Sequence, residues 1–238
     1  MLSLTRYQQD WTDLAKQLDA EGFAVIADVL SPDLHQTLHR QMQHHCCVQS
    51  VAFPAENQPS GSGGKIGIFP LDEPLVAELA NLRAALYPHL VPVANRWNQL
   101  MDIPCRYPLR LETFMEQNQN AGQRRPLSHV SLLRDTGFVS LHQRTEGELV
   151  FPLQIVGLLT EPGRDFQGGE FVMTEQRPRM QSRPLVIPLG KGDIAIIATA
   201  HRPYKGSKGY YRVNSRHAIS RVLSGERIGF ELSFHNAP

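Results

Sequence analysis

Residues 129–144 read HVSLLRDTGFVSLHQR, in which two runs of β-type residues are separated by turn residues. Similar short β-type runs separated by turn residues continue almost to the end of the sequence. Short runs of this kind bounded by Gly and Pro predict strands. The predicted strands are His129–Leu133, Phe138–His142, Leu149–Leu159, Glu170–Thr174, Leu185–Leu189, Ile194–Ala198, Tyr211–Arg216, Ile219–Leu223 and Ile228–Phe234. Many short strands joined by such turns predict a sandwich or jelly roll.

The first half of the chain has a helical pattern instead. Trp11, Leu14 and Leu18 recur at helical spacing behind Asp10, a residue typical of a helix N-cap, and Gly22 ends this pattern before a short apolar strand. These signals predict a helix followed by a strand at the start of the chain.

Two further helical regions flank a loop. Ser31 and Pro32 begin a second predicted helix that runs to about Met42, and helical spacing returns over residues 73–122. Between them, residues 54–70 are rich in Gly, Ser and Pro, so that few side chains can be buried. We expect a loop there, which could serve as a mobile lid.

Composition places the chain among ordinary globular proteins. It has 238 residues, 41% hydrophobic and 20% charged, with no apolar run of membrane-spanning length. The N-terminus lacks the apolar core of a secretory signal, which predicts a cytoplasmic location, and Cys46, Cys47 and Cys105 are expected to be reduced thiols. The net charge of +1 gives no electrostatic reason to propose nucleic acid as the partner, although a local basic patch remains compatible with it.

Three residues carry the chemistry that the sequence indicates. His142 lies on the predicted strand FVSLHQR, His217 lies on YYRVNSRHAISRV, and Arg227 follows His217. A non-haem iron(II) site uses two imidazoles and one carboxylate on one face of the metal. An arginine matches the carboxylate of a co-substrate such as 2-oxoglutarate, because its planar fork binds a carboxylate bidentately.

A family resemblance rests on longer motifs. Residues 141–235 resemble bacterial 2-oxoglutarate/iron(II) oxygenases related to prolyl hydroxylases, through ELVFPLQIVGLLTEPGRDFQGGEFVMTEQRPRMQSR, KGD and HRPYKGSKGYYRVNSRHAISRV. The upstream stretch RAALYPHLVPVANRWN resembles the same family. The resemblance implies a double-stranded β-helix and oxidative decarboxylation of 2-oxoglutarate to succinate and CO2, coupled to hydroxylation or demethylation. His142 and His217 match its imidazole ligands of Fe(II), and Arg227 matches its 2-oxoglutarate anchor.

The expected fold is therefore mainly β with N-terminal helices (α+β), a double-stranded β-helix or jelly roll buttressed by helices. We expect a single oxygenase-like domain over residues 1–238. Residues 1–125 form a largely helical support with a Gly/Ser loop near 55–67, and residues 126–238 form the β-helix core.

Arg144 departs from the family pattern, because the family has a metal-binding aspartate at that position. A guanidinium has no lone pair to donate and cannot ligate iron. Glu146 or Glu148 could replace the aspartate if the strand bends at Gly147. Equally, Arg144 and Glu146 could pair and seal a metal-free pocket.

Two hypotheses of different classes follow. One is an active oxygenase acting on an unknown substrate. The other is a pseudo-oxygenase that binds a small anionic ligand or a partner because Arg144 replaces the metal carboxylate. A third has less support and gives Arg144 a catalytic, electrostatic role in another reaction.

The remaining candidates concern substrate contact and other sites. Arg177, Arg179 and Arg183 form a basic segment that could contact phosphate, but a solvated loop is the commoner outcome. We interpret His201 as a structural or pocket-rim residue, and residues 44–47, HHCC, as a helix end without ligand spacing. The substrate classes left open are a small molecule, a free or peptidyl amino acid, and alkylated nucleic acid.

Overall fold

The computed structural model describes residues 10–49, 59–71 and 73–238. Its helices are α1 (Trp11–Glu21), α2 (Pro32–Gln49), α3 (Ala77–Leu100) and α4 (Leu111–Asn120). Its strands are β1 (Phe23–Ile26), β2 (Ile66–Pro70), β3 (His129–Arg134), β4 (Val139–His142), β5 (Leu153–Leu158), β6 (Phe166–Gly168), β7 (Phe171–Gln176), β8 (Arg183–Ile187), β9 (Ile194–Ala198), β10 (His201–Gly206), β11 (Gly209–Ile219) and β12 (Val222–Leu232). Across these described ranges, no helix is long and apolar enough to cross a membrane.

The strands form two antiparallel sheets. The larger sheet has the order β1-β9-β5-β12-β3-β2, with β6 also paired to β12. The smaller sheet has the order β10-β11-β7-β8, with β4 paired to β11. Two such sheets with helices from the first half of the chain confirm the expected jelly roll buttressed by helices.

The larger sheet is buried on both faces. On β9, Ile194 and Ile196 pack into a core shared with the helices, whereas Ala195 and Ile197 pack into a second core shared with the smaller sheet. Successive side chains of a strand point to opposite faces, so a continuous apolar run is needed here. The second core is the space between the sheets, and it positions the residues described below.

The N-terminal helices follow their sequence signals closely. Asp10 caps α1 by accepting hydrogen bonds from the backbone N–H groups of Thr12 and Asp13, and Gly22 ends the helix in the left-handed conformation at φ 75°. The region predicted as several helical segments contains one long helix, α3, which continues through Pro88 and Pro92. Its apolar face is buried against the larger sheet, which offsets the hydrogen bonds that proline cannot make.

Part of the predicted loop is a strand. The expectation for residues 54–70 is wrong at β2, where Ile66, Ile68 and Phe69 are buried and pair with β3; residues 54–58 lie outside the described part of the chain. Two other boundaries also differ. His201 begins β10 instead of preceding a turn, and the strand predicted over 219–223 is divided between the end of β11 and the start of β12.

Candidate functional site

His142 and His217 lie side by side on neighbouring strands. β4 pairs antiparallel with β11, and His142 is the direct register partner of His217. The centroids of the two imidazole rings are 4.2 Å apart. The structure therefore brings together the two histidines that the sequence singled out.

A carboxylate from the opposite sheet completes this pair. Glu231 lies on β12, and its Oε2 atom is 3.4 Å from Nε2 of His217, with only 9% of the glutamate side chain exposed. One potential ligand atom from each of His142, His217 and Glu231 lies within 4.8 Å of the others. Two imidazoles and one carboxylate are the donor set of a non-haem iron site.

Glu231 was not predicted from the sequence. The predicted carboxylates lie near His142 in the chain, whereas Glu231 approaches from the other sheet. The available signal was an acidic residue inside the apolar strand run 228–234, IGFELSF, because a buried carboxylate is seldom found without a partner.

Buried polar atoms without partners point into this cluster. Nε2 of His142 and Oε2 of Glu231 are inaccessible and have no hydrogen-bond partner among the described residues. The other ring nitrogen of His142, Nδ1, is 2.9 Å from the carbonyl oxygen of Ser140. Donation from Nδ1 to this oxygen fixes the tautomer and leaves the lone pair of Nε2 directed at the cluster.

The protonation states suit a cation. Burial, with a contribution from nearby His217, lowers the pKa of His142 to about 3, and burial lowers the pKa of His129 to about 4. Burial alone would raise the pKa of Glu231, but contacts with His129 and His217 hold that pKa well below its ordinary value. At neutral pH the imidazoles of His129 and His142 are therefore neutral, and the carboxylate of Glu231 is ionised.

Arg144 borders the cluster and contacts two carboxylates. Its Nε is 3.8 Å from Oε2 of Glu231, and its Nη1 is 3.6 Å from Oε1 of Glu146. Its Nη2 is 3.5 Å from Nδ1 of His129. The pair between Arg144 and Glu146 that the sequence suggested is thus present, but Arg144 also contacts Glu231.

Neither of the glutamates proposed from sequence lies in the histidine cluster. Among the described residues, the carboxylate that lies close enough to share a metal ion with His142 and His217 is that of Glu231, not that of Glu146. The backbone N–H of Glu148 donates to Oε1 of Gln123, and the side chain of Glu148 lines a separate cavity near Tyr107 and His201. Gly147 does adopt a positive φ of 105°, but this turn directs the chain towards Gln123.

Arg227 lies on the same strand as Glu231 and on the same face, since the two are four residues apart. It is 2% exposed, its Nε donates to the carbonyl oxygen of Gly169 at 2.7 Å, and burial lowers its pKa to about 10. A Cβ atom built on Gly229 would lie 2.9 Å from Nη1 of Arg227. The guanidinium therefore extends over Gly229, in the direction of Glu231.

A cavity of about 390 Å³ adjoins the histidine cluster. Its lining includes His142 from the cluster, the neighbouring residues His129 and Arg144, and also Gln143, Glu146 and the exposed Arg125. Its volume falls in the range of small-molecule sites. An anion entering it would meet two guanidinium groups, those of Arg125 and Arg144.

The other predicted basic residues separate into two groups. Arg177 and Arg179 line a second cavity of about 250 Å³ together with His201 and Arg212. Arg183 instead contacts Glu21, with Nη2 3.7 Å from Oε2. Residues 44–47 lie in the last turns of α2, and their side chains fall outside the described part of the structure.

Comparison with known protein families gives one match over most of the chain. The model of the Oxygenase-NA family, described as an oxygenase catalysing oxidative methylation of damaged DNA, matches residues 67–237. The chain is also 38% identical over 172 residues to the uncharacterized protein Rv2227 of Mycobacterium tuberculosis strain H37Rv, covering 72% of this chain and 73% of that relative. An uncharacterized protein of strain CDC 1551, MT2286, matches equally well.

Solved structures of similar fold include a prolyl hydroxylase and an alpha ketoglutarate dependent epimerase. A prolyl-4-hydroxylase of Pseudomonas putida aligns with a TM-score of 0.53 at 14% identity, covering 93% of this chain and 96% of that one. The non-heme alpha ketoglutarate dependent epimerase SnoN of nogalamycin biosynthesis aligns with a TM-score of 0.52 at 13% identity, covering 93% and 80%. At these identities the likeness establishes the shared fold.

Proposed function

Because the chain belongs to the Oxygenase-NA family, we propose that it is an iron(II)- and 2-oxoglutarate-dependent oxygenase whose metal is held by His142 and His217. One observation carries this proposal. A half-buried and a buried imidazole on paired strands converge on a buried carboxylate, and Nε2 of His142 and Oε2 of Glu231 have no hydrogen-bond partner among the described residues.

The donor set fits iron(II). The imidazole of His142 is neutral near pH 7 because burial lowers its pKa to about 3, so no proton has to leave this ligand before a metal binds. When bound, iron would supply activation of dioxygen coupled to oxidative decarboxylation of 2-oxoglutarate to succinate and CO2.

The protein residues bind and orient the co-substrate. The Arg227 guanidinium is buried between the sheets, bonded through Nε to Gly169 and extended over Gly229. It has the planar fork needed to hold the distal carboxylate of 2-oxoglutarate. The adjoining cavity of about 390 Å³ offers space for a substrate beside His142.

Release of succinate tests this function. The protein is loaded with Fe(II) without oxygen, mixed with 2-oxoglutarate and then exposed to air. We expect the wild type to release succinate, and Arg227→Met to require at least about tenfold more 2-oxoglutarate, since a charge-assisted hydrogen bond contributes roughly 1.5–3 kcal/mol. Arg164→Met, which alters an exposed loop arginine, is the matched control and should behave as the wild type.

The pseudo-oxygenase is the competing function, and the contacts of Arg144 with Glu231 and Glu146 favour it. In that case the guanidinium keeps the carboxylate occupied and the pocket binds an anion without metal. Absence of succinate, together with metal-independent binding of 2-oxoglutarate, would establish this alternative and exclude the oxygenase.

For the substrate class we propose nucleic acid, as the description of the family suggests. The cavity lined by Arg177, Arg179 and Arg212 supports this choice, because none of these arginines has an ion-pair partner within the described ranges. The guanidinium of Arg177 lies 3.7 Å from the ring centroid of Tyr204. Unpaired guanidinium groups beside an aromatic ring suit a phosphate backbone and its bases.

A hydrogen bond connects this cavity to the cavity beside the histidine cluster. Nε2 of Gln143, the residue between His142 and Arg144, is hydrogen bonded to Oδ1 of Asn214 at 2.6 Å. Asn214 lines the arginine cavity. A strand bound along the arginines would therefore pass next to the end of β4 that carries His142.

Binding of a fluorescein-labelled single-stranded oligonucleotide at several salt concentrations tests the substrate class. Arg179→Gln/Arg212→Gln should bind more weakly and make the plot of log affinity against log salt shallower by about 1.4, since each phosphate contact contributes roughly 0.7 for single strands. The control Arg164→Gln/Arg221→Gln removes the same charge from exposed arginines elsewhere. Equal losses in both double variants would show that the contact is non-specific and would reject this surface.

A further inference from the structure

Position 144 leaves the proposed iron site one ligand short. The family that the chain resembles has a metal-binding aspartate there, whereas the guanidinium of Arg144 cannot donate a lone pair. His142 and His217 alone would supply two neutral ligands, and a facial iron site requires a carboxylate as well.

We infer that Glu231, on the opposite sheet, is the third metal ligand and takes the place of the aspartate that position 144 lacks; this inference rests on the proposed oxygenase function. His142 and His217 reach the site from β4 and β11 of the smaller sheet, and Glu231 reaches it from β12 of the larger sheet. The ligand set therefore spans the two layers of the jelly roll instead of lying on one of them.

The surroundings of Glu231 are those of a metal ligand more than those of a glutamate that only stabilises the fold. The glutamate is 7% exposed on a strand whose adjacent residues Phe230 and Leu232 are fully apolar. Its Oε2 atom has no hydrogen-bond partner among the described residues, and its carboxylate makes only longer ion-pair contacts, including those of 3.8 Å to Nε2 of His129 and 3.4 Å to Nε2 of His217. A buried carboxylate that serves only the fold is normally hydrogen bonded, because an unsatisfied charged oxygen is costly.

Arg144 can tolerate a cation beside it because it has a second carboxylate. Its Nε and Nη1 atoms contact Glu231 and Glu146 at 3.8 and 3.6 Å. When Glu231 binds the metal, Glu146 stays available as the counter-ion of Arg144. Metal and guanidinium thus compete for Glu231, whereas Glu146 remains outside the histidine cluster.

Equilibrium titration with Fe(II) under anaerobic conditions tests this assignment without reference to turnover. We expect the wild type to bind one equivalent, and Glu231→Gln to bind at least about 100-fold more weakly, the upper part of the range for losing support at a metal site. Glu146→Gln removes the other carboxylate that contacts Arg144 and should change the affinity by less than about threefold, since a partly exposed ion pair contributes little.

Two double variants make the test independent of any folding defect in Glu231→Gln. Arg144→Gln/Glu231→Gln leaves no unpaired buried charge and should bind Fe(II) as weakly as Glu231→Gln. Arg144→Asp/Glu231→Gln returns a carboxylate to the position that the family uses and should regain most of the wild-type affinity.

The contradicting results can be told apart. Wild-type affinity in Arg144→Gln/Glu231→Gln would show that Glu231 is not a ligand and overturn the inference, while the oxygenase proposal would stand. Binding by Arg144→Asp together with no binding by the wild type would overturn both, because Arg144 would then disable the site.

Discussion

At the scale of single residues, the position of Arg227 depends on Gly169. The carbonyl oxygen of Gly169 accepts the hydrogen bond from Nε of Arg227, and Gly169 has a φ of +67°. A Cβ atom added there would lie 3.0 Å from Cδ of Arg227. The absence of a side chain at this position therefore lets Arg227 pack against this carbonyl group, in the position in which we propose that it binds 2-oxoglutarate.

Gly169→Ala should weaken the use of 2-oxoglutarate. The added methyl group displaces Arg227, and a loss of about 1 kcal/mol would raise the required 2-oxoglutarate concentration roughly fivefold. Gly163→Ala is the matched control, because Gly163 also has a positive φ, +82°, but a Cβ there meets nothing within 4 Å. Both variants should lose about 1–2 kcal/mol of stability from backbone strain, but only Gly169→Ala should change the dependence of succinate release on 2-oxoglutarate.

The site residues differed in how far the sequence could predict them. His142 and His217 could be found because each stands in a recognisable strand motif, and the structure pairs them directly. Glu231 could not, since its distance from His142 depends on how the two sheets pack. Local sequence directed attention to Glu146, which does contact Arg144 but not the histidines.

At the scale of elements, one buried arginine joins α1 to the smaller sheet. Arg202 on β10 is 1% exposed and donates through Nε to Oε1 of Glu175 on β7. Its Nη1 and Nη2 atoms donate to the carbonyl oxygens of Asp19 and Ala20 in the last turn of α1, at 2.9 and 3.0 Å. One guanidinium therefore pairs with a buried carboxylate and also donates to carbonyl groups at the end of a helix.

Removing this arginine should destabilise the fold strongly. Arg202→Met leaves the carboxylate of Glu175 buried and unpaired, which should lower the free energy of unfolding in urea by roughly 3–5 kcal/mol. Arg96→Met breaks a pair with Asp19 whose side chains are 42% and 43% exposed, and should lower it by about 1 kcal/mol or less. Equal losses in the two variants would contradict the role assigned to Arg202.

Elements with strong local signals were predictable, and elements that depend on a neighbour were not. α1 begins after Asp10 and ends at Gly22 as its capping residues indicate. β2 was not predicted, because the preceding Gly and Ser residues indicate a loop. Its extended structure is stabilised by pairing with β3, which the local sequence does not reveal. The length of α3 was likewise not predicted, because Pro88 and Pro92 usually interrupt a helix. The helix continues through both prolines, and its apolar face is buried.

At the scale of the whole molecule, the two sheets together create the site. The smaller sheet supplies both histidines, and the larger sheet supplies Glu231 and Arg227 on one face of β12. Sequence resemblance was sufficient to predict this jelly roll. It was insufficient to predict which carboxylate faces the histidines, because that follows from the register and spacing of the sheets.

Anomalous diffraction at the iron edge, from crystals grown or soaked with Fe(II) without oxygen, would locate the metal and its ligands directly. We predict one iron peak bound by Nε2 of His142, an imidazole nitrogen of His217 and a carboxylate oxygen of Glu231, with Arg144 directed at Glu146. An empty cluster in which Glu231 stays paired with Arg144, or an iron held by the histidines without Glu231, would contradict it.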